Sequence, residues 1–260
     1  MTQVQHNQKL PAELPVLQAG ASPPKLAASP EPSSVRLILT LGTTGFLSGL
    51  CLVLVFLATA PAIERNRIAA IERAVFEVLP GAESFEILEA DQEGGVALLE
   101  EGEKASGPVV YAGKDDRGRL VGYAVPGSGP GFQDTLEILV GWDHARERVV
   151  GMAVLESRET PGLGDKIISD TDFTSSFLDL SVEPAAVVVA PGSREGDNEV
   201  DGISGATISA SAVVRIVNET ISAWKDRLPD EDTLSAARSE ADGETGSAAT
   251  GGEAEGRSSR

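Results

Sequence analysis

From Leu37 to Ala60 the chain reads LILTLGTTGFLSGLCLVLVFLATA, with no charged side chain, between Arg36 and the Glu64-Arg65 pair. A helix rises about 1.5 Å per residue, so about 20 apolar residues cross a bilayer core. This pattern predicts a transmembrane helix over 37–60. A buried helix of a soluble domain would show a polar face, and this segment has none. A cleaved leader would carry a shorter apolar core, about 7–15 residues, nearer the N-terminus. Cys51 raises lipoprotein anchoring, but bulky Leu50 stands where a small residue is expected. Gly42 and Gly49 would let another membrane helix approach closely.

The next stretch, AIERNRIAAIERAVFEVLPG, changes period. Ile63, Ile68, Ile71, Val75 and Val78 fall on one face of a helix with charges largely opposite, and Pro80-Gly81 ends it. Between about 95 and 190 short apolar runs are bounded by Gly, Pro and Asp. They cover 96–100, 108–113, 119–125, 135–143, 148–157 and 185–190. Their β-branched content predicts strands of a mostly antiparallel sheet, with hairpin turns at 115–119 and 143–148. A helical period returns with Ala210, Val213, Val214, Val217, Ile221 and Trp224. The flanks have no such period. Residues 1–36 are rich in Pro, Ala, Ser and Gln, and 229–260 are acidic and rich in Ala, Gly and Ser; both read as flexible tails. The expected fold class is therefore α+β: a tail (1–36), a span in the lipid bilayer (37–60), a domain with a mostly antiparallel sheet flanked by helices (61–228), and an acidic tail (229–260).

Composition narrows the chemistry. The formal net charge is −19 over 260 residues, which excludes nucleic acid as a partner and disfavours electrostatic binding to anionic lipid. There are two histidines, His6 and His144, one cysteine and two methionines. No zinc, haem or iron–sulfur site is expected from so few soft ligands, and no metal residue is assigned. If this chain carries electrons, an organic cofactor must do it.

Two stretches carry candidate chemistry. In DGISGATISAS (201–211), Thr207 stands where a Gly-containing loop meets the C-terminal helix. A helix N-terminus offers unpaired N–H groups and partial positive charge to a phosphate. Gly205 and Ala206 leave the backbone open, and Asp201 adds a carboxylate able to hold a metal ion while a phosphate is delivered. The commoner meaning of Ser204 and Thr207 in that position is helix capping. In ESRETPGLGDKI (156–167), Pro161 fixes the backbone while Gly162 and Gly164 clear space on either side of Leu163. Such a loop lets main chain approach a flat ligand, with Glu159 and Thr160 supplying polar contacts; an ordinary Pro-Gly turn has the same look.

Taken together, these motifs resemble the FMN-binding G subunit of the Rnf-type (Rsx) electron transport complex. The related C subunit of the sodium-pumping NADH:quinone reductase shares the domain. The resemblance runs from about Leu37 to Lys225 and includes the span, the helix after it, GYAVPGSGPGFQDTLEILVGWD, ETPGLGDKI and a complete Asp-x-x-Ser-Gly-Ala-Thr from Asp201 to Thr207. It implies covalent FMN, esterified through its phosphate to Thr207 by a flavin transferase that uses FAD. It also implies that Ser204, Gly205 and Ala206 belong to the attachment motif, and that Glu159, Thr160, Pro161, Gly162, Leu163 and Gly164 lie beside the flavin ring. The long N-terminal tail and the acidic C-terminal tail depart from the family pattern without touching a motif.

The function this implies is an electron-carrying, membrane-anchored flavoprotein subunit, with no catalytic residue of its own. Its complex would link ferredoxin and NAD(H) chemistry to ion movement, with the other membrane and peripheral subunits as partners. The equivalent subunit of the sodium-pumping quinone reductase is an alternative. A non-redox membrane-anchored scaffold is another, and it predicts no flavin. A serine hydrolase is disfavoured, since Ser204 has no evident histidine partner: His6 lies in a tail and His144 in a turn. Charge does not orient the span, with Lys9, Lys25 and Arg36 before it and Arg65, Arg67 and Arg73 after it. The resemblance places the soluble domain on the extracytoplasmic side of the inner membrane.

Overall fold

The structure, a computed structural model, describes residues 33–91, 95–99, 105–236 and 238. Most of both expected tails lies outside these residues. The described chain divides into two units, one ending at Thr59 and one beginning at Ala60.

The first unit is helical and belongs to α1 (Ser34–Val78), a single element that includes Pro61. Its apolar side chains are exposed, among them Ile38 at 71% and Leu52 at 71%. The helix is long and apolar enough to cross a membrane. Hydroxyls inside it have partners in the helix itself: Thr40, Thr43 and Thr44 each donate to the carbonyl four residues back, at 2.7–2.8 Å. A threonine can thus sit in an apolar span without an unpaired donor.

The second unit is built on a six-stranded antiparallel sheet in the order β2-β1-β3-β4-β5-β6. The strands are β1 (Ser84–Ala90), β2 (Val96–Leu98), β3 (Val109–Lys114), β4 (Leu120–Pro130), β5 (Thr135–Asp143) and β6 (Arg148–Glu156). Short helices α2 (Lys166–Ser169) and α3 (Thr171–Ser175) follow. Then come a parallel pair, β7 (Val187–Val189) and β8 (Glu199–Asp201), and α4 (Thr207–Trp224). This is the expected α+β class.

Alternation along the strands sends side chains to two separate cores. Tyr123, Val125, Ile138, Val140 and Trp142 pack with α4 through Val213, Ile216, Val217 and Ile221. Tyr111, Ala124, Leu139 and Ala153 pack instead with Ala74, Val75, Val78 and Leu79. Only the last two turns of α1 therefore bury side chains against the sheet. Ile63 and Ile68, expected on the same buried face, are 59% and 49% exposed because the sheet does not cover them.

Four glycines permit that contact. Gly113 pairs with Gly122 across β3 and β4, and Gly141 pairs with Gly151 across β5 and β6. A Cβ on Gly113 would lie 2.6 Å from Leu79 Cδ1, and one on Gly151 would lie 2.7 Å from the Val78 carbonyl oxygen. The row of missing side chains is a seat for the end of α1.

Three features depart from the pattern in the sequence. β1 and β8 have no counterpart among the expected strands, because both are half-buried and lack a long apolar run. β4 continues to Pro130 through PGSGP, past the expected end of that run at 125. Gly127 and Gly129 are there because α4 lies against them: a Cβ on Gly129 would meet Ile216 Cγ1 at 2.8 Å. Packing also continues past residue 228, the expected end of the domain. Residues 231–236 are helical, and Leu228 and Leu234 are 5% and 6% exposed. The Tyr123 hydroxyl donates to the Pro229 carbonyl at 2.6 Å. Burial, reinforced by Asp230, pushes the Tyr123 phenol well above its usual range, so it stays a donor. Two apolar anchors among acidic neighbours are too sparse to show as a period.

Candidate functional site

The motif 201–207 is a turn feeding a helix, and each residue has a separate task. Asp201 ends β8 opposite Val189. Gly202 passes so close that a Cβ would lie 2.7 Å from the Val189 carbonyl oxygen. Ile203 is buried in the core. The Ala206 N–H donates to the Ile203 carbonyl at 3.0 Å, closing a turn whose third residue, Gly205, has φ +82°. A positive φ at that position favours glycine.

The helix begins without a side-chain cap. Ala206 occupies the N-cap position, and among the described residues no side chain accepts from the first-turn N–H groups. Neither Ser204 nor Thr207 acts as a cap, so the capping alternative fails. An alanine there forgoes about 1 kcal/mol relative to Ser, Thr, Asp or Asn. What it leaves is a helix end whose Thr207, Ile208 and Ser209 N–H groups are free to meet an anion.

Thr207 is exposed, and it borders a cavity of about 430 Å³. The other lining residues are Phe132, Glu159, Thr160, Leu163, Gly164, Gly205, Ala206, Ile208 and Ser209. That volume lies in the ordinary range for a small-molecule site. Three segments distant in sequence form it: the β4–β5 turn, the loop after β6, and the start of α4. Thr160 shapes the loop by accepting at its carbonyl from the N–H groups of Leu163 and Gly164, at 3.1 and 3.0 Å. Gly162, with φ +78°, turns the chain between them. Phe132, Leu163 and Ile208 are 59%, 50% and 59% exposed, giving the cavity an apolar mouth.

The structure thus brings Glu159, Thr160, Leu163, Gly164, Gly205, Ala206 and Thr207 to one cavity. Pro161, Gly162, Ser204 and Asp201 are not part of its lining. Asp201 Oδ1 accepts from the Gly192 N–H at 2.8 Å, and the Asp201 N–H donates to Ser176 Oγ at 3.1 Å. Its carboxylate therefore braces the 190–193 turn. Among the described residues no group of three His, Cys, Asp or Glu side chains is placed to hold a metal ion.

Glu159 is only 5% exposed, and both its oxygens are taken by the protein. Oε1 accepts from the N–H groups of Phe132 and Gln133, at 2.8 and 3.2 Å, and Oε2 from Ser209 Oγ at 2.8 Å. It serves the walls of the cavity rather than offering a free polar contact. Phe132, Ile208 and Ser209 were not among the expected site residues. Ile208 and Ser209 adjoin the motif in sequence, but Phe132 carries no signal beyond lying in the segment 122–143.

These features fit a phosphorylated, flat, largely apolar group: an uncapped helix start, a free hydroxyl on its first residue, and an apolar-mouthed cavity beside it. Residues 131–222 match the FMN-binding domain family. The chain is 33% identical over 193 residues to the G subunit of the Na(+)-translocating ferredoxin:NAD(+) oxidoreductase complex of Acetobacterium woodii, covering 73% of this chain and 91% of that one. It is 29% identical over 189 residues to the G subunit of the ion-translocating oxidoreductase complex of Methanosarcina acetivorans, covering 72% and 92%. The crystal structure of Shewanella oneidensis NqrC shares the fold, with a TM-score of 0.52 and 19% identity over 62% of this chain and 97% of that one.

Fold and family match together define an FMN-binding domain, and one helix among the described residues is long and apolar enough to cross a membrane. The chain belongs to the family of G subunits of ion-translocating oxidoreductase complexes.

Proposed function

We propose that this protein is the membrane-anchored flavoprotein subunit of an Rnf-type complex, carrying electrons on FMN joined covalently through its phosphate to Thr207. In that complex, ferredoxin and NAD chemistry would be coupled to ion translocation. The observation that carries the reading is the uncapped start of α4 with an exposed threonine at its first position, opening on an apolar cavity. FMN, when bound, supplies one- and two-electron chemistry that side chains lack.

Each wall of the cavity has its own part. The Thr207, Ile208 and Ser209 N–H groups would hold the phosphate, whose remaining negative charge the helix dipole would favour. Gly205 lets the backbone turn beneath it. Phe132, Leu163 and Ile208 supply apolar contact for the ring, and the Thr160 loop closes one side. A covalent tether keeps the group on the protein through every turnover. Asp201 braces the 190–193 turn beside the motif, and a flavin transferase performs the attachment by moving the FMN phosphoryl group from FAD to the Thr207 hydroxyl with release of AMP. The remaining membrane and peripheral subunits of the complex are its working partners.

The experiment is to purify the full chain from cells that co-express a flavin transferase and to map tryptic peptides by mass spectrometry. One peptide containing Thr207 should carry the added mass of FMN. A colourless protein with that peptide unmodified, from a host that loads another flavoprotein of this type, would defeat the reading.

The flavin domain, in this reading, stands on the extracytoplasmic face of the inner membrane, where that transferase works in this family. Protease added to intact cells, with any outer barrier opened, should digest the domain. Full protection under those conditions would put it on the other side.

A further inference from the structure

We propose that Glu159 is the positioning residue of this site, holding its three walls in register, and that its buried charge lowers the redox potential of the group held there. The inference rests on the flavin reading above. Glu159 comes from the loop after β6, yet its carboxylate binds the β4–β5 turn through Phe132 and Gln133 and the first turn of α4 through Ser209. These are the three segments that line the cavity.

Its surroundings are shaped for it. A Cβ on Gly164 would lie 2.7 Å from Glu159 Oε2 and 3.1 Å from Ser209 Oγ, and a Cβ on Gly131 would collide with Oε1. Two glycines from separate segments thus leave room for one carboxylate. Among the described residues no cation pairs with it. Arg158, its neighbour in sequence, turns away to Asp134 at 3.4 Å and Glu156 at 3.2 Å. A negative charge held by hydrogen bonds alone, behind a cavity with apolar walls, is weakly screened. It opposes the arrival of electrons on a neighbouring group.

Glutamine separates the two roles. Its amide oxygen can accept from Phe132 and Gln133, and its NH₂ can donate to Ser209 Oγ, so geometry is kept while the charge is lost. In full-length protein matured with a flavin transferase, Glu159→Gln should load FMN at least fivefold better than Glu159→Ala. The midpoint potential of Glu159→Gln should rise by about 30 mV or more, tenfold in a two-electron equilibrium. Glu159→Ala leaves three donors unpaired, and its covalent loading should fall at least tenfold. In unloaded protein, amide hydrogen exchange at Phe132 and Gln133 should quicken at least tenfold.

Ser209→Ala severs only the link to α4 and should reduce loading at least threefold, which keeps the test decisive if Glu159→Ala does not fold. An unchanged potential in Glu159→Gln overturns the role of charge. Wild-type loading and exchange in Glu159→Ala, or wild-type loading in Ser209→Ala, overturns the positioning role. A wild-type chain that never acquires FMN would instead refute the flavin reading, and exchange on the unloaded variants would still test the clamp.

Discussion

Thr207→Ala should abolish covalent flavin completely while leaving the domain folded. Four hydroxyls lie in DGISGATISAS, and the structure separates them. Ser209 is 3% exposed and donates to Glu159. Ser204 is exposed but sits on the turn outside the cavity lining, and Ser211 lies one turn further along α4. Thr207 alone is both exposed and on the cavity wall. Removing its Oγ1 removes the nucleophile for the phosphoester, and no neighbour can substitute. The fold should not suffer. The Thr207 hydroxyl bonds to none of the described residues, and alanine is at least as good a helix former. Stability of the unloaded variant should stay within about 0.5 kcal/mol of wild type, as for an ordinary surface substitution. Intact mass and visible absorbance after denaturation are the measurements. A variant that remains yellow once unfolded would show that the link is elsewhere.

Gly141→Val should destabilise the domain by about 3 kcal/mol or more while its fold is retained. A Cβ at Gly141 would collide with the Val78 carbonyl oxygen and come within 2.9 Å of its carbonyl carbon. The obstacle is backbone, at the end of a helix already anchored by Val75, Val78 and Leu79, all 0% exposed. A flexible side chain could swing aside, and this wall cannot. Overpacking in cores typically costs about 1–3 kcal/mol, and a backbone obstacle puts this site at or above the upper end. A loss of about 3 kcal/mol corresponds to roughly 6–12 °C in Tm for a domain of this size. Against a total stability of about 5–15 kcal/mol, that is a large fraction. Thermal unfolding followed by circular dichroism would measure it. A Tm within about 2 °C of wild type would mean that α1 does not seat on the glycine row as described.

The two substitutions probe parts of the molecule that differ in how visible they were beforehand. The apolar run 37–60, the hairpins at 115–119 and 143–148, and the period of α4 are local patterns. Each follows from which side chains face lipid, core or water within a few consecutive residues, and each is present in the structure. The attachment motif is equally local, since its residues are contiguous. The end of the sheet's partner helix was legible as amphipathic, but not which of its turns would be covered.

What escaped was contact between distant segments. Gly113, Gly122, Gly141 and Gly151 read individually as weak strand residues. Their meaning appears only when antiparallel pairing places them in a row beneath Val78 and Leu79. The continuation of β4 through Pro126 to Pro130 was not expected, because packing against α4 rather than strand propensity selected its glycines. Phe132 joined the site through the β4–β5 turn, and Glu159 proved to be bound on both oxygens, neither of which spacing can reveal.

Order along the chain was enough to define the membrane-length helix, the α+β class and the threonine at a helix start, because these depend on adjacent residues. Folding in three dimensions was needed to establish that the helix start is uncapped, that three separate segments wall one cavity, and that a single buried carboxylate joins them. Those outcomes depend on which surfaces meet when the chain folds, and hydrogen bonds between residues 26 to 50 positions apart leave no local pattern to read.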